Sequence, residues 1–268
     1  MNNGNNKTNT NKHYVNNDVF FTYKKLIRDT KYTQDLGKLL NYLNITELKK
    51  KDNLVIFDIG SNVGVYTLLF TKTFKNIKQI YSFEPHLKTF NIMNDNITLN
   101  NLNHKVSQFN IGFSDKKGNY KIGFPSNDLL KENSITVNDN TNTDKDTEFY
   151  SLFGKENTED IFCDTLDNFV KEHNINKLDF IKIDVEGSEF NVLKGGKNTL
   201  KTLKPVVVFE FNKLTKNLSG LNSDDLYKFL KELNYKMYGF EYNFFINPNE
   251  LKDLNVNNVS DILCIPNK

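Results

Sequence analysis

Four short apolar runs, LVIFD, IYSFE, FIKID and VVVFE, each end on an acidic residue: Asp58, Glu84, Asp184 and Glu210 in turn. Stretches with helix-like apolar spacing lie between them. Runs this short and this continuously apolar are read as strands buried on both faces, and parallel neighbours of that kind need crossover connections. The alternation therefore specifies an α/β fold with a mostly parallel sheet and helices on both faces.

The elements follow from the same pattern. The first run leads through a turn bearing Gly60 and Gly64 into a helical stretch. A second strand over Ile80 to Phe83 ends at Glu84-Pro85, before a helix using Phe90, Ile92, Met93, Ile97 and Leu99. A third strand is expected from Val106 to Ile111, a short helix from Asp164 to Glu172, and a buried strand ending at Asp184. Phe190, Leu193, Leu200 and Leu203 give one further helix, weakened in its middle by Gly195-Gly196. Pro205 opens the strand VVVFEF. An amphipathic helix spans Asp224 to Leu233, and two last strands, Lys236 to Phe240 and Asp261 to Ile265, form an antiparallel pair because no helical pattern separates them.

Around this domain, taken as residues 51–268, the chain changes character. Residues 1–17 are polar and of low complexity, a composition that cannot offset the entropy of ordering, and are expected to form a disordered tail. Residues 18–50, with Leu26, Ile27, Leu36, Leu39, Leu40 and Leu43 at helical spacings, are expected to form a helical lead-in. Residues 125–160 are rich in Asn, Asp, Thr, Ser and Lys and are read as a long loop or insertion. With 35 Lys+Arg against 33 Asp+Glu, the net charge of +2 gives no electrostatic case for nucleic acid or an anionic membrane as partner. Two cysteines, Cys163 and Cys264, build neither a disulfide framework nor a cysteine metal site, and buried thiols are expected. No run approaches the roughly 18 apolar residues of a membrane span, and a cytoplasmic location is expected.

In an open α/β sheet, ligands sit beyond the carboxyl ends of the strands. Here that edge carries Asp58, Glu84, Asp184, Glu186 and Glu210. The glycines are spaced G-x-x-x-G after Asp58, unlike the G-x-G-x-x-G of dinucleotide binders, and a carboxylate at that place repels a pyrophosphate. A cofactor without phosphate and with positive charge fits better. S-adenosylmethionine offers an ammonium and a sulfonium to carboxylates, a carboxylate to backbone N–H groups, and a ribose diol to an acid ending the second strand. Glu84, twenty residues after Gly64, stands there.

The segments VIFDIGSNVGVYT, FEPHLKTFNIMNDNITLNN, FNIGFSDKKG, TLDNF, LDFIKIDVEGSEFNVLKGG and PVVVFEF resemble the FkbM-type family of class I methyltransferases over about Asn53 to Phe211. The string KIDVEGSE followed by LKGG is the most specific part. The resemblance implies a seven-stranded Rossmann-like sheet, S-adenosylmethionine as cofactor, and methylation of a hydroxyl, often on a sugar or glycan. It places Asp58, Gly60, Asn62 and Gly64 around the methionine portion, with Ser61, Tyr66 and Pro85 adjoining. Glu84 falls at the ribose and Asp115 at the adenine. His86 and the Asn-rich insertion depart from the family pattern.

Methyl transfer to an alcohol needs alignment and a base. Asp184 and Glu186 are the candidates, with Lys182 and Glu210 next, and Asp184 is equally placed to hold the cofactor ammonium. Asp184, Glu210 and Asn212 could also supply oxygen ligands to Mg²⁺. Two other readings stay open: a methyltransferase-like module that binds without catalysis, and a methyltransferase acting on nucleic acid.

Overall fold

The computed structural model describes residues 37, 46–123, 135–138, 158–211, 222–241, 249–254 and 259–267. The expected tail, nearly all of the helical lead-in, most of the polar insertion, and Asn212 lie outside these residues.

A seven-stranded sheet carries the fold. Its parallel part consists of β1 (Leu54–Ile59), β2 (Ile77–Phe83), β3 (Val106–Phe109), β8 (Phe180–Ile183) and β9 (Val206–Glu210). The antiparallel pair β10 (Tyr235–Glu241) and β11 (Val259–Pro266) completes it, in the order β10-β11-β9-β8-β1-β2-β3. This is the sheet expected from sequence. β11 is inserted between β10 and β9, antiparallel to both.

Burial on both faces explains the continuous apolar runs. Val55, Phe57 and Ile59 of β1 pack on one side, with Ile181 and Ile183 of β8 and with Val207 and Phe209 of β9. That side is covered by α3 (Leu166–Glu172), α4 (Glu189–Gly195), α5 (Lys197–Leu203) and α6 (Ser223–Glu232). Leu54, Ile56, Phe180, Val206 and Val208 face the other way, onto α1 (Val65–Thr73) and α2 (Leu87–Leu99). The alternation has the period of two that a pleated strand imposes.

Two features differ from the expected elements. The single helix over Phe190 to Leu203 is two, α4 and α5, divided at Gly195-Gly196. At Gly195 a Cβ would lie 2.1 Å from the Ser114 carbonyl oxygen, so glycine is required for the close approach of α4 to that loop. Asp167 of α3 then accepts from the N–H groups of Asn198 and Thr199 at 3.0 and 2.7 Å, satisfying donors that open α5. The second difference is a small sheet in the order β4-β7-β5-β6. It comprises β4 (Gly112–Phe113), β5 (Gly118–Gly123), β6 (Ile135–Asn138) and β7 (Thr158–Asp164), so strands occur within the stretch read as a polar insertion. Its own core is Tyr120, Ile122, Ile161 and Cys163. Both cysteines are buried thiols. Among the described residues no helix is long and apolar enough to cross a membrane.

Gly195→Ala adds a methyl where backbone already sits. The overpacking is expected to cost about 1–3 kcal/mol, beyond the gain from higher helix propensity. Thermal denaturation should show a Tm lowered by about 4–10 °C; an unchanged or raised Tm would show that the loop at Ser114 yields freely.

Candidate active site

The register of the sheet sets the first part of the site. Asp58 of β1 has Ser82 of β2 and Lys182 of β8 as cross-strand partners, so the three form a polar row on the α1 face of an otherwise apolar sheet. Asp58 is fully buried. Its Oδ2 accepts from Thr67 Oγ1 at 2.6 Å, and Thr67 Oγ1 lies 2.7 Å from Ser82 Oγ. Asp58 Oδ1 is buried without a hydrogen-bond partner among the described residues. Lys182 Nζ sits 4.0 Å from the centre of the Tyr66 ring and donates to Asp184 Oδ2 at 2.6 Å. Burial raises the Asp58 carboxyl above the usual range against the pull of Lys182 and Thr67. Burial alone would lower the lysine, but the carboxylates of Asp184 and Asp58 prevail and hold it above its ordinary value. Lys182 is thereby held in its ammonium form beside Asp184 and Asp58.

The turn after β1 is bolted to the end of β2. The Gly60 and Ser61 N–H groups donate to the Phe83 carbonyl at 3.0 and 2.9 Å. Ser61 Oγ donates to the Asp58 carbonyl at 2.6 Å and accepts from Phe83 N–H at 3.0 Å. Gly60 has φ +78°, and a Cβ there would lie 1.8 Å from the Asp184 carbonyl oxygen, so the turn presses directly against the end of β8. Gly64, also left-handed, precedes α1 as its N-cap. Asn62 N–H donates to Glu84 Oε2 at 2.9 Å, and Glu84 Oε1 accepts from His86 N–H at 3.0 Å. Asn110 fixes the same corner by donating to the carbonyls of Glu84 and Pro85 at 2.9 and 2.8 Å. Burial pushes Glu84 up to about 7, only partly countered by the N–H groups of His86 and Asn62. The His86 ring is buried, with Nδ1 2.5 Å from Thr89 Oγ1 and Nε2 3.2 Å from Glu159 Oε2 of β7.

Beyond β8, Asp184, Glu186 and Glu210 bring carboxylate oxygens within 4.8 Å of one another. Glu186 has φ +51°. Burial first, then the negative charges of Asp184, Glu210 and Glu189, push it up to about 9. Three oxygens so placed suit a hard divalent cation; Asn212, which the sequence grouped with Asp184 and Glu210, lies outside the described residues. Lys182 already brings positive charge to Asp184. Asp115 is not brought into this group by any contact: its carboxylate lies 3.5 Å from Lys194 Nζ and accepts from Ser114 Oγ at 3.3 Å.

The structure thus gathers Asp58, Gly60, Ser61, Asn62, Gly64, Tyr66, Glu84, Pro85, Lys182, Asp184, Glu186 and Glu210 along one edge. It adds Thr67, Ser82 and Asn110, which the sequence reading missed. Thr67 and Ser82 were detectable as polar residues inside apolar stretches. Asn110 carried no such signal.

The strand order reverses direction between β1 and β8, the point where open α/β sheets bind ligands. There the edge holds a buried carboxylate at Asp58 with one oxygen unpartnered among the described residues, a glycine turn before a helix N-terminus, and an acid ending the second strand. Fold and site define the class, a Rossmann-like methyltransferase. A family model described as "Methyltransferase FkbM domain" matches residues 58–237, and the chain belongs to this family of S-adenosylmethionine-dependent methyltransferases.

Among relatives, the chain is 26% identical over 192 residues to Methyltransferase sdnD of Sordaria araneosa, covering 65% of this chain and 68% of that protein. It is 26% identical over 206 residues to Hexuronic acid methyltransferase AglP of Haloferax volcanii, covering 77% and 71%. A crystal structure of Methyltransferase FkbM from Methylobacillus flagellatus aligns with a TM-score of 0.47 at 14% identity, over 80% of this chain and 43% of that one. The O-methyltransferase from Bacillus cereus in complex with SAH aligns at 0.44 and 11%, over 96% and 97%.

Glu84 and Glu189 both have carboxyls raised from 4.5 to about 7 by burial. The stability linked to each is fully present below pH about 4.5 and is lost as pH rises through about 7, because the folded state binds the proton more tightly than the unfolded one. Glu84→Gln removes one of these groups. Thermal melts of the cofactor-free protein should show the variant losing less Tm than wild type between pH 5 and pH 8; equal losses would mean that Glu84 titrates normally.

Proposed function

We propose that the protein transfers the methyl group of S-adenosylmethionine to a hydroxyl of a sugar or glycan. The observation that carries this reading is the contact between the two halves of the site: the Gly60 turn lies against Asp184, and Asp184 belongs to the carboxylate trio with Glu186 and Glu210. A proton acceptor for an alcohol thus stands beside the turn that would seat the cofactor. The relative named for hexuronic acid supports a sugar as the acceptor class.

Glu84 would hold the ribose diol, and Asp58 with Asp184 the ammonium. Asp115 is the candidate for the adenine. The bound cofactor would supply an electrophilic methyl group on a sulfonium, together with positive charge. Glu186 would accept the acceptor's hydroxyl proton on its carboxylate. Its burial among like charges makes it a stronger base than a solvated glutamate. Positive charge nearby moves such a carboxyl down toward neutrality, where a general base is most effective. Asp184, ion-paired with Lys182 at 2.6 Å, would orient the hydroxyl, and Glu210 would complete the polar wall.

The test is incubation with S-adenosylmethionine labelled in its methyl group and a panel of glycosides, with mass spectrometry locating the methyl. A methyl ether on a sugar oxygen is expected. Glu84→Ala should weaken cofactor binding by about 10- to 100-fold, the loss of charge-assisted hydrogen bonds. Glu186→Ala should leave cofactor binding unchanged and lower kcat by about 10²- to 10⁴-fold. Binding without transfer to any acceptor would mark a non-catalytic module; unchanged kcat in Glu186→Ala would remove it from the mechanism.

A further inference from the structure

The loop from β8 to α4 reads Asp184-Val185-Glu186-Gly187-Ser188, and Glu186 within it is a non-glycine residue in the left-handed region, at φ +51°. Side chains with a Cβ seldom adopt this conformation unless neighbouring contacts fix it. The contacts are present on both sides. Asp184 N–H donates to the Ile59 carbonyl at 2.9 Å, tying the start of the loop to β1. At the far end, Glu189 is buried with 3% exposure, and a single oxygen, Oε1, accepts from both Val185 N–H at 3.2 Å and Gly187 N–H at 3.1 Å. The two bonded N–H groups belong to the residues immediately before and after Glu186.

We propose that Glu189 is a positioning residue: by bridging the N–H groups of Val185 and Gly187 it holds the backbone of Glu186 left-handed and so delivers that carboxylate to Asp184 and Glu210. The proposal rests on the preceding reading for its purpose, since Glu186 is the proton acceptor there. It differs from what an acid in this place would ordinarily do. Glu189 is the first residue of α4, where any negative charge is favoured by the helix dipole. A dipole effect depends on charge and tolerates a shorter side chain. Bridging two N–H groups across the loop depends on reach and on an acceptor oxygen, and needs no charge.

Two substitutions separate these roles. Glu189→Gln keeps the length and one acceptor oxygen but removes the charge; Glu189→Asp keeps the charge and shortens the side chain by one methylene. The measurement is residue-resolved amide hydrogen exchange by NMR on the full chain, with backbone chemical shifts of Glu186 reporting its conformation. In Glu189→Asp the Val185 and Gly187 amides should exchange about tenfold faster or more, and the Glu186 shifts should leave the left-handed range. The β8 amides of Ile181 and Ile183 should be unaffected, which separates loop opening from general destabilisation. In Glu189→Gln all of these should stay within about twofold of wild type. Loss of protection in the glutamine variant, or full protection in the aspartate variant, overturns the proposal. Calorimetry of the wild type with S-adenosylhomocysteine reports the cofactor reading separately: loop opening in the aspartate variant with no binding by the wild type would leave the role of Glu189 standing while the proposed function falls.

Discussion

The site depends on a buried polar row set by strand register. Asp58 and Lys182 are cross-strand partners in the middle of a sheet that is apolar on both faces. A carboxylate buried alone would protonate and a lysine buried alone would lose its proton. With Asp184 as its ion-pair partner and Asp58 as a second counter-charge, the lysine stays charged. A slip of one residue between β1 and β8 would turn one of the two groups into the apolar layer under α3 and α4. Charge pairing and hydrophobic patterning therefore select the same register, and that register fixes where the glycine turn after β1 meets the end of β8.

The pair does not neutralise the edge. Asp58, Glu84, Glu186 and Glu189 all have carboxyls raised by burial, and Lys182 is the cation that acts on Asp58 and Glu186. A cofactor-free protein with this much desolvated acid gives up stability that apolar residues at the same places would supply. Such a site gains by binding a ligand with positive charge and hydroxyl donors. The same argument weighs against a dinucleotide, whose pyrophosphate would add negative charge to an edge already overloaded with it. Local conflict of this kind is what a functional site looks like against a consistent fold.

How far the sequence carried can be judged from particular residues. The parallel sheet was legible because four of its strands are short, mostly apolar runs ending in an acid, a pattern with few structural meanings. Gly195-Gly196 was legible as a weak point but not as a break, because the cause is a loop around Ser114 that approaches only in three dimensions. The small sheet was hidden: β7 is the half-polar TEDIFCD, whose inward residues Ile161 and Cys163 face a core of four side chains. At the site, Asp58, Glu84 and the glycines were visible from spacing. Asn110, which pins the Glu84-Pro85 corner, was not, since an asparagine in an asparagine-rich chain carries no local signal. Glu189 was equally hidden, because its role lies in two backbone hydrogen bonds that close a loop only after it has folded.

The central claim is that this carboxylate-lined edge is built for a cationic, phosphate-free cofactor. Isothermal titration calorimetry of the purified protein with S-adenosylmethionine, S-adenosylhomocysteine and NAD tests it most directly. The account predicts saturable binding of the first two and none of NAD. Binding of NAD, or binding of neither S-adenosyl compound, would contradict it.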